Sequence, residues 1–223
     1  MSDSFILALF AAMRERANQK GRTKEQKKVI KYFTETGCLS SSMTDDAYDA
    51  LIATRMQAFD YKKKALYSLG IDESQVSEIP PVCFHGYVFE DPRLEANNIE
   101  IRTKRGADEE WRSSAYMITW IFFGDDEVYY YQEVFCMDSF CGWSMTDEFF
   151  YKDIVNFYTV TSLTEDLLIR GCLGRNSVRI QRATHSFAIA VPDQQKLCTL
   201  DLTERNLAIV QGMKNKLRDK KMQ

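Results

Sequence analysis

Two imidazoles are available to this chain of 223 residues, His85 and His185. Serine or cysteine hydrolysis needs one of them beside a nucleophile, because a hydroxyl or thiol attacks well only once a base takes its proton. His85 precedes Gly86 inside an apolar run, and His185 follows Thr184 at the start of another. Neither lies in a nucleophile motif, so neither is read as catalytic. Six cysteines stand at 38, 83, 136, 141, 172 and 198, with no CxxC pair. A structural zinc takes four clustered ligands, usually as two close pairs, and Cys136 with Cys141 supplies only one loose pair. Buried thiols in a reduced, cytoplasmic protein are the simplest account. The acids Asp125, Asp126, Glu127, Asp147 and Glu148 lack calcium-loop spacing and read as solvated turns. Gly171-Cys172-Leu173-Gly174-Arg175 has no GxxxxGK pattern and no helix after it, and reads as a hairpin tip. The chain is therefore expected not to be an enzyme and to hold no metal and no cofactor.

Residue types suited to contact are easier to find. Asp138 to Met145 is a predicted hairpin connection holding Phe140, Trp143 and Met145. Large apolar side chains in a loop mark a contact surface or a place where the loop folds back onto the helical module. The second group is Phe5, Leu9 and Phe10, in a predicted helix over 4–19 whose first half is apolar nearly all round. Such a helix must be covered on more than one side, either by this chain or by a second copy. Its apolar run over 5–13 is too short to span a bilayer and has no basic segment ahead of it, which argues against a signal peptide. From Arg14 to Lys31 there are eight bases and two acids, a pattern that attracts anionic lipid or nucleic acid. No aromatic interleaves these bases, which leaves base stacking unsupported.

The elements that position these residues divide at Pro80-Pro81, which breaks helicity. Residues 1–79 read as a helical module, with helices near 4–19, 24–35 and 44–69. Thr23 and Thr44 are placed to cap the second and third, and Gly70 to stop the third. Residues 80–223 read as a β unit: a hairpin over 81–104, then strands near 113–123, 127–137, 144–152, 156–162, 177–182, 185–191 and 196–201. Gly124-Asp125-Asp126 and Pro192-Asp193 are turn signals between them. Leu163 to Ile169 reads as an apolar connector. A last helix over 203–219 carries Leu207, Val210, Met213 and Leu217 on one line, with cations at its end as the dipole prefers. Net charge is −3 overall but uneven: residues 88–153 carry −9 and residues 154–223 carry +5.

Seven strands followed by one amphipathic helix resembles the pleckstrin-homology-like (PH-like) fold in bacterial form. Phe149-Phe150-Tyr151-Lys152-Asp153-Ile154-Val155 is similar to the strand and turn of bacterial PH-like domains, and Phe187 to Leu202 with the last helix is similar to their ending. The whole chain, with Pro80-Pro81 and Trp111-Arg112-Ser113-Ser114, resembles a protein family of unassigned activity in Firmicutes-type bacteria. The resemblance implies an α+β chain: a helical module, an extra hairpin, a seven-strand barrel and a capping helix. Phosphoinositide binding by such folds uses a basic first turn. The matching turn here is Gly124-Asp125-Asp126-Glu127, whose acids repel phosphate, so that function is not carried over. Protein or peptide binding, or assembly with self-association through helix 5–19, is the expected function. A peripheral membrane module using the bases of 14–31 is the alternative, and an enzyme with an unrecognised site comes third. Nucleic acid is not an expected partner.

Overall fold

The computed structural model describes residues 20–34, 43–76, 80–170 and 176–222. The expected helix 4–19, with Phe5, Leu9 and Phe10, lies outside the described residues. Among the described residues the chain is α+β, with five α-helices and three antiparallel sheets, none closed on itself.

The helices start where the capping chemistry predicts. In α1 (Lys24–Thr34) the Gln26 N–H donates to Thr23 Oγ1 at 3.1 Å and the Thr23 N–H donates to Gln26 Oε1 at 2.9 Å, a reciprocal capping box. Thr44 caps α2 (Asp45–Ala58) by accepting from the Ala47 N–H. The single helix expected over 44–69 is two, because α3 (Tyr61–Leu69) begins afresh. Phe59 is extended, with φ −118° and ψ 128°, and Asp60 accepts from the Lys63 N–H at 2.9 Å as a new N-cap. The break turns Tyr61 inward to stack on Phe135, with centroids 6.2 Å apart, and leaves Phe59 exposed. Gly70 closes α3 at φ 69°, a left-handed conformation that glycine adopts without a Cβ penalty.

The strands are β1 (Val82–Val88), β2 (Thr103–Arg105), β3 (Trp111–Ser113), β4 (Ala115–Phe123), β5 (Glu127–Cys136), β6 (Gly142–Phe150), β7 (Asn156–Arg170), β8 (Asn176–Val191) and β9 (Gln194–Thr199). They order as β1-β4-β5-β6, β2-β3 and β7-β8-β9. The hairpin expected over 81–104 does not form. β1 pairs instead with β4, from Val82↔Ile121 to Val88↔Ala115. Asp91 and Pro92 are the N-cap and first residue of the short helix α4 (Pro92–Ala96), and Asp91 accepts from the Arg93 and Leu94 N–H groups at 2.9 Å. The strands expected at 177–182 and 185–191 are one strand, β8, and the connector expected at 163–169 is strand as well. β7 and β8 pair residue for residue from Asn156↔Ala190 to Arg170↔Asn176.

Strand pleating sends alternate residues to opposite faces, and both faces of the four-stranded sheet are covered. Inside, Phe84, Ile121, Tyr130 and Phe149 pack with Phe157, Phe187 and Ile189 of the other sheet. The last helix, α5 (Glu204–Lys221), capped by Thr203, closes this core with Val210, Met213 and Leu217. Leu207, expected on the same line, is 45% exposed. On the outer face, Tyr116, Ile118 and Phe135 share a cluster with Val29, Tyr32, Tyr48 and Tyr61 of the helices. Phe122 and Tyr131 meet Ala65 and Val76 in another. The helices thus bury their apolar side chains against the sheet.

The seven strands expected over 113–201 are six, β4 to β9, because 177–182 and 185–191 are one strand, and no ladder joins β1 to β9 among the described strands. β9 crosses close over Gly86, where an added Cβ would lie 2.6 Å from Thr199 Cγ2. Its outward backbone groups meet side chains instead: the Leu197 carbonyl accepts from Gln132 Nε2 at 2.8 Å, and the Thr199 N–H points at Met117 sulfur at 3.4 Å. With those groups engaged, no strand is needed to satisfy that edge.

Candidate interaction surface

Of the three contact residues placed in the β5–β6 connection, only Phe140 is prominently exposed, at 78%. The connection folds inward: Asp138 and Ser139 are buried, and Arg102 pairs with the Asp138 carboxylate. Burial pushes the Asp138 pKa up, with the Arg102 charge opposing. Trp143 and Met145 are not in the loop but on β6, both half-buried on one face. The Trp143 Nε1–H donates to the Asp91 carboxylate at 3.1 Å, and the Arg93 guanidinium sits 4.2 Å from the ring centroid. Trp143 is therefore tied to the α4 cap.

Each imidazole is hydrogen-bonded to one hydroxyl. His85 Nδ1 lies 2.8 Å from the Tyr116 hydroxyl. The protein packed beneath the ring lowers its pKa, and the Asp201 charge only partly offsets this. His185 Nδ1 lies 3.0 Å from Thr161 Oγ1 on the neighbouring strand. Burial pushes the Cys83 and Cys136 thiols up to about 12 and raises Cys198 further, which suppresses the reactive thiolate. The acidic turn is closed by the Gly124 N–H donating to the Glu127 carbonyl at 2.9 Å, with Asp125 and Asp126 exposed.

The densest polar arrangement joins helix to sheet. Arg112, 4% exposed, donates to Asp49 at 2.9 and 2.7 Å and to Asp108 at 2.9 and 2.7 Å. The Tyr87 hydroxyl donates to Asp49 at 2.6 Å, and the Tyr32 hydroxyl donates to Asp45 at 2.7 Å. Every member has a partner within the protein, which is the arrangement of a docking network.

The edge of β7 differs. β7 stands at the end of the order β7-β8-β9. The Leu200 N–H donates to the His185 carbonyl, so His185 turns its backbone toward β9. By alternation Ser186, Ala188 and Ala190 turn toward β7, and their register partners Val160, Tyr158 and Asn156 turn toward β8. Phe157, Thr159, Thr161 and Leu163 therefore present N–H and C=O groups away from the sheet. Thr159, Thr161, Ser162 and Leu163 are exposed, Leu163 at 66%. From Asn156 to Thr164 there is no charge, no proline and no glycine. Edges are normally guarded by such residues. β6, an edge of the four-stranded sheet, has charged ones: Asp147 and Glu148, with Asp147 paired to Lys196 at 2.8 Å. At the foot of β7 an open cleft of about 340 Å³ is lined by Val155, Asn156, Lys214, Leu217, Arg218 and Lys221. Sequence reading passed over this edge. Its signal was the long uncharged β-prone run, but a run of that kind reads equally as a central strand.

No helix among the described residues is long and apolar enough to cross a membrane. No protein-family model, curated protein or solved structure matches the chain.

Proposed function

We propose that the protein is a non-catalytic binding and assembly module, and that it takes up an extended segment of a protein or peptide along β7. The observation that carries this reading is the unguarded β7 edge beside a cationic cleft. Strand addition gains backbone hydrogen bonds along such an edge, and side-chain pockets next to it give selectivity. The arrangement of four strands, three strands and a closing helix, with β1 counted first, supports a PH-like frame for this surface. The test is a random-sequence peptide selection on the full chain, followed by titration calorimetry with the selected peptides. Thr161→Pro removes an outward N–H without breaking a backbone bond to β8 and is expected to weaken binding at least tenfold, while Phe140→Ser leaves it unchanged. Peptides that bind Thr161→Pro as well as the unaltered chain would overturn the reading, as would failure to select any peptide from a chain that is monomeric.

A second reading rests on α1, whose outer side exposes Lys24, Lys27 and Lys28. Peripheral attachment to anionic lipid predicts salt-sensitive sedimentation with phosphatidylserine vesicles, and no binding at low salt would end it.

A further inference from the structure

We infer that the occupant of the β7 edge is a second copy of this chain, joined β7 to β7 across a two-fold axis at Thr161. This rests on the reading of β7 as a strand-addition edge and names its partner.

A two-fold contact is self-complementary, so the same strand must suit itself when reversed. The residues that offer outward backbone groups are Phe157, Thr159, Thr161, Leu163 and, by the same alternation, Glu165. Centring the axis on Thr161 uses all five. Thr161 faces its own copy, Thr159 faces Leu163, and Phe157 faces Glu165. The two threonine-leucine pairs and the central threonines form an uncharged, β-branched middle, which suits cross-strand packing.

Charge fixes the register. Residues directly opposite in an antiparallel pair share a face. Phe157 points into the core that α5 closes with Leu217. Glu165 of the second copy therefore projects on the α5 side, beside the cleft that holds Lys214, Arg218 and Lys221. Glu165 is exposed, and its own contact is a 3.7 Å pair with an exposed Arg179, which is easily exchanged. Each interface thus brings two acids onto two cationic clefts. Shifting the axis by two residues toward the start of β7 sets Glu165 beyond the partner's foot and loses this match. The result is a six-stranded sheet, β9-β8-β7 continued by β7-β8-β9 of the copy.

Sedimentation velocity of the full chain over a dilution series tests this. The expected species has twice the 25.9 kDa chain mass and dissociates on dilution. Thr161→Lys sets two like charges opposite each other on the axis and is expected to weaken the dimer about a hundredfold. Glu165→Lys is expected to do the same, and adding Lys221→Glu to it is expected to restore pairing. Circular dichroism checks that each variant folds. A monomer at tens of micromolar overturns the inference, as does a dimer indifferent to both Thr161→Lys and Glu165→Lys. A dimer lost in Phe5→Ser with Leu9→Ser but kept in Thr161→Lys overturns it too, and places self-association on the amino-terminal segment. A chain that stays monomeric yet binds selected peptides in a Thr161-dependent manner refutes only self-pairing and leaves the β7 edge as a peptide site.

Discussion

Replacing Arg112 by methionine tests the view that the helices are held on the sheet by a charged network as well as by packing. The guanidinium is almost fully buried and makes four short charge-assisted hydrogen bonds to Asp49 and Asp108. A hydrogen bond to a charged group contributes about 1.5–3 kcal/mol, and breaking a buried pair costs about 3–5. Four bonds do not add to that extent, because the Asp49 and Asp108 side chains are 43% and 45% exposed and rehydrate once released. Methionine also keeps much of the stem's volume. The expected loss is about 2–3 kcal/mol at neutral pH, below the sum and above an exposed pair. Urea denaturation followed by tryptophan fluorescence measures it, and hydrogen exchange locates it in α2 and the β2–β3 turn.

The pH dependence gives an independent check on the same substitution. Asp108 is held at about 2, chiefly by its bonds from Arg112. In Asp45 and Asp49 burial works upward, but hydrogen bonds from Tyr32 and Ala107, and from Arg112 and Tyr87, outweigh it and hold both below the ordinary range. A depressed carboxylate stabilises the fold above its unfolded pKa of about 3.9, and that contribution disappears as pH falls through the folded value. The unaltered protein should therefore lose stability between about pH 4 and pH 2, and Arg112→Met should show a shallower loss there. Asp138, raised by burial, acts with the opposite sign but cancels in the comparison. A loss under about 1 kcal/mol at neutral pH with an unchanged acid slope would refute the argument.

Gly86→Val should destabilise by about 1–3 kcal/mol by wedging β9 off β1, measured by thermal unfolding, and Gly86→Ala by less, since Thr199 is the atom in the way. Trp143→Phe should cost about 1–2 kcal/mol, because it removes a donor from the buried Asp91 carboxylate that caps α4; urea titration reads this. Cys83, Cys136 and Cys198 should resist iodoacetamide at pH 8 in the folded protein and react together on unfolding, as peptide mass mapping would show.

Local chemistry was legible in the sequence wherever the residues that make a feature lie within a few positions of one another. The capping of α1 by Thr23, the stop at Gly70, the Pro192-Asp193 turn and the α5 line through Val210, Met213 and Leu217 all follow from near neighbours in the chain. So did the α+β class, because periods of 3.6 and 2 are written in the chain itself. Asp60 could have been read as a second N-cap within 44–69, but its use depends on Phe135 receiving Tyr61, a contact 74 residues away.

The tertiary structure alone decided which strand lies beside which. Alternation tells which face a residue takes and is silent about the partner, so β1 looked like half of a hairpin when its partner is β4. The same silence covered Trp143, which reads either as an exposed contact residue or as one folded back on the helical module, whereas its partners Asp91 and Arg93 come from α4 and its cap. It covered β7 most of all. Whether an uncharged run is a shielded centre or an open edge depends on long-range pairing, and here that pairing leaves Thr161 and its neighbours facing outward.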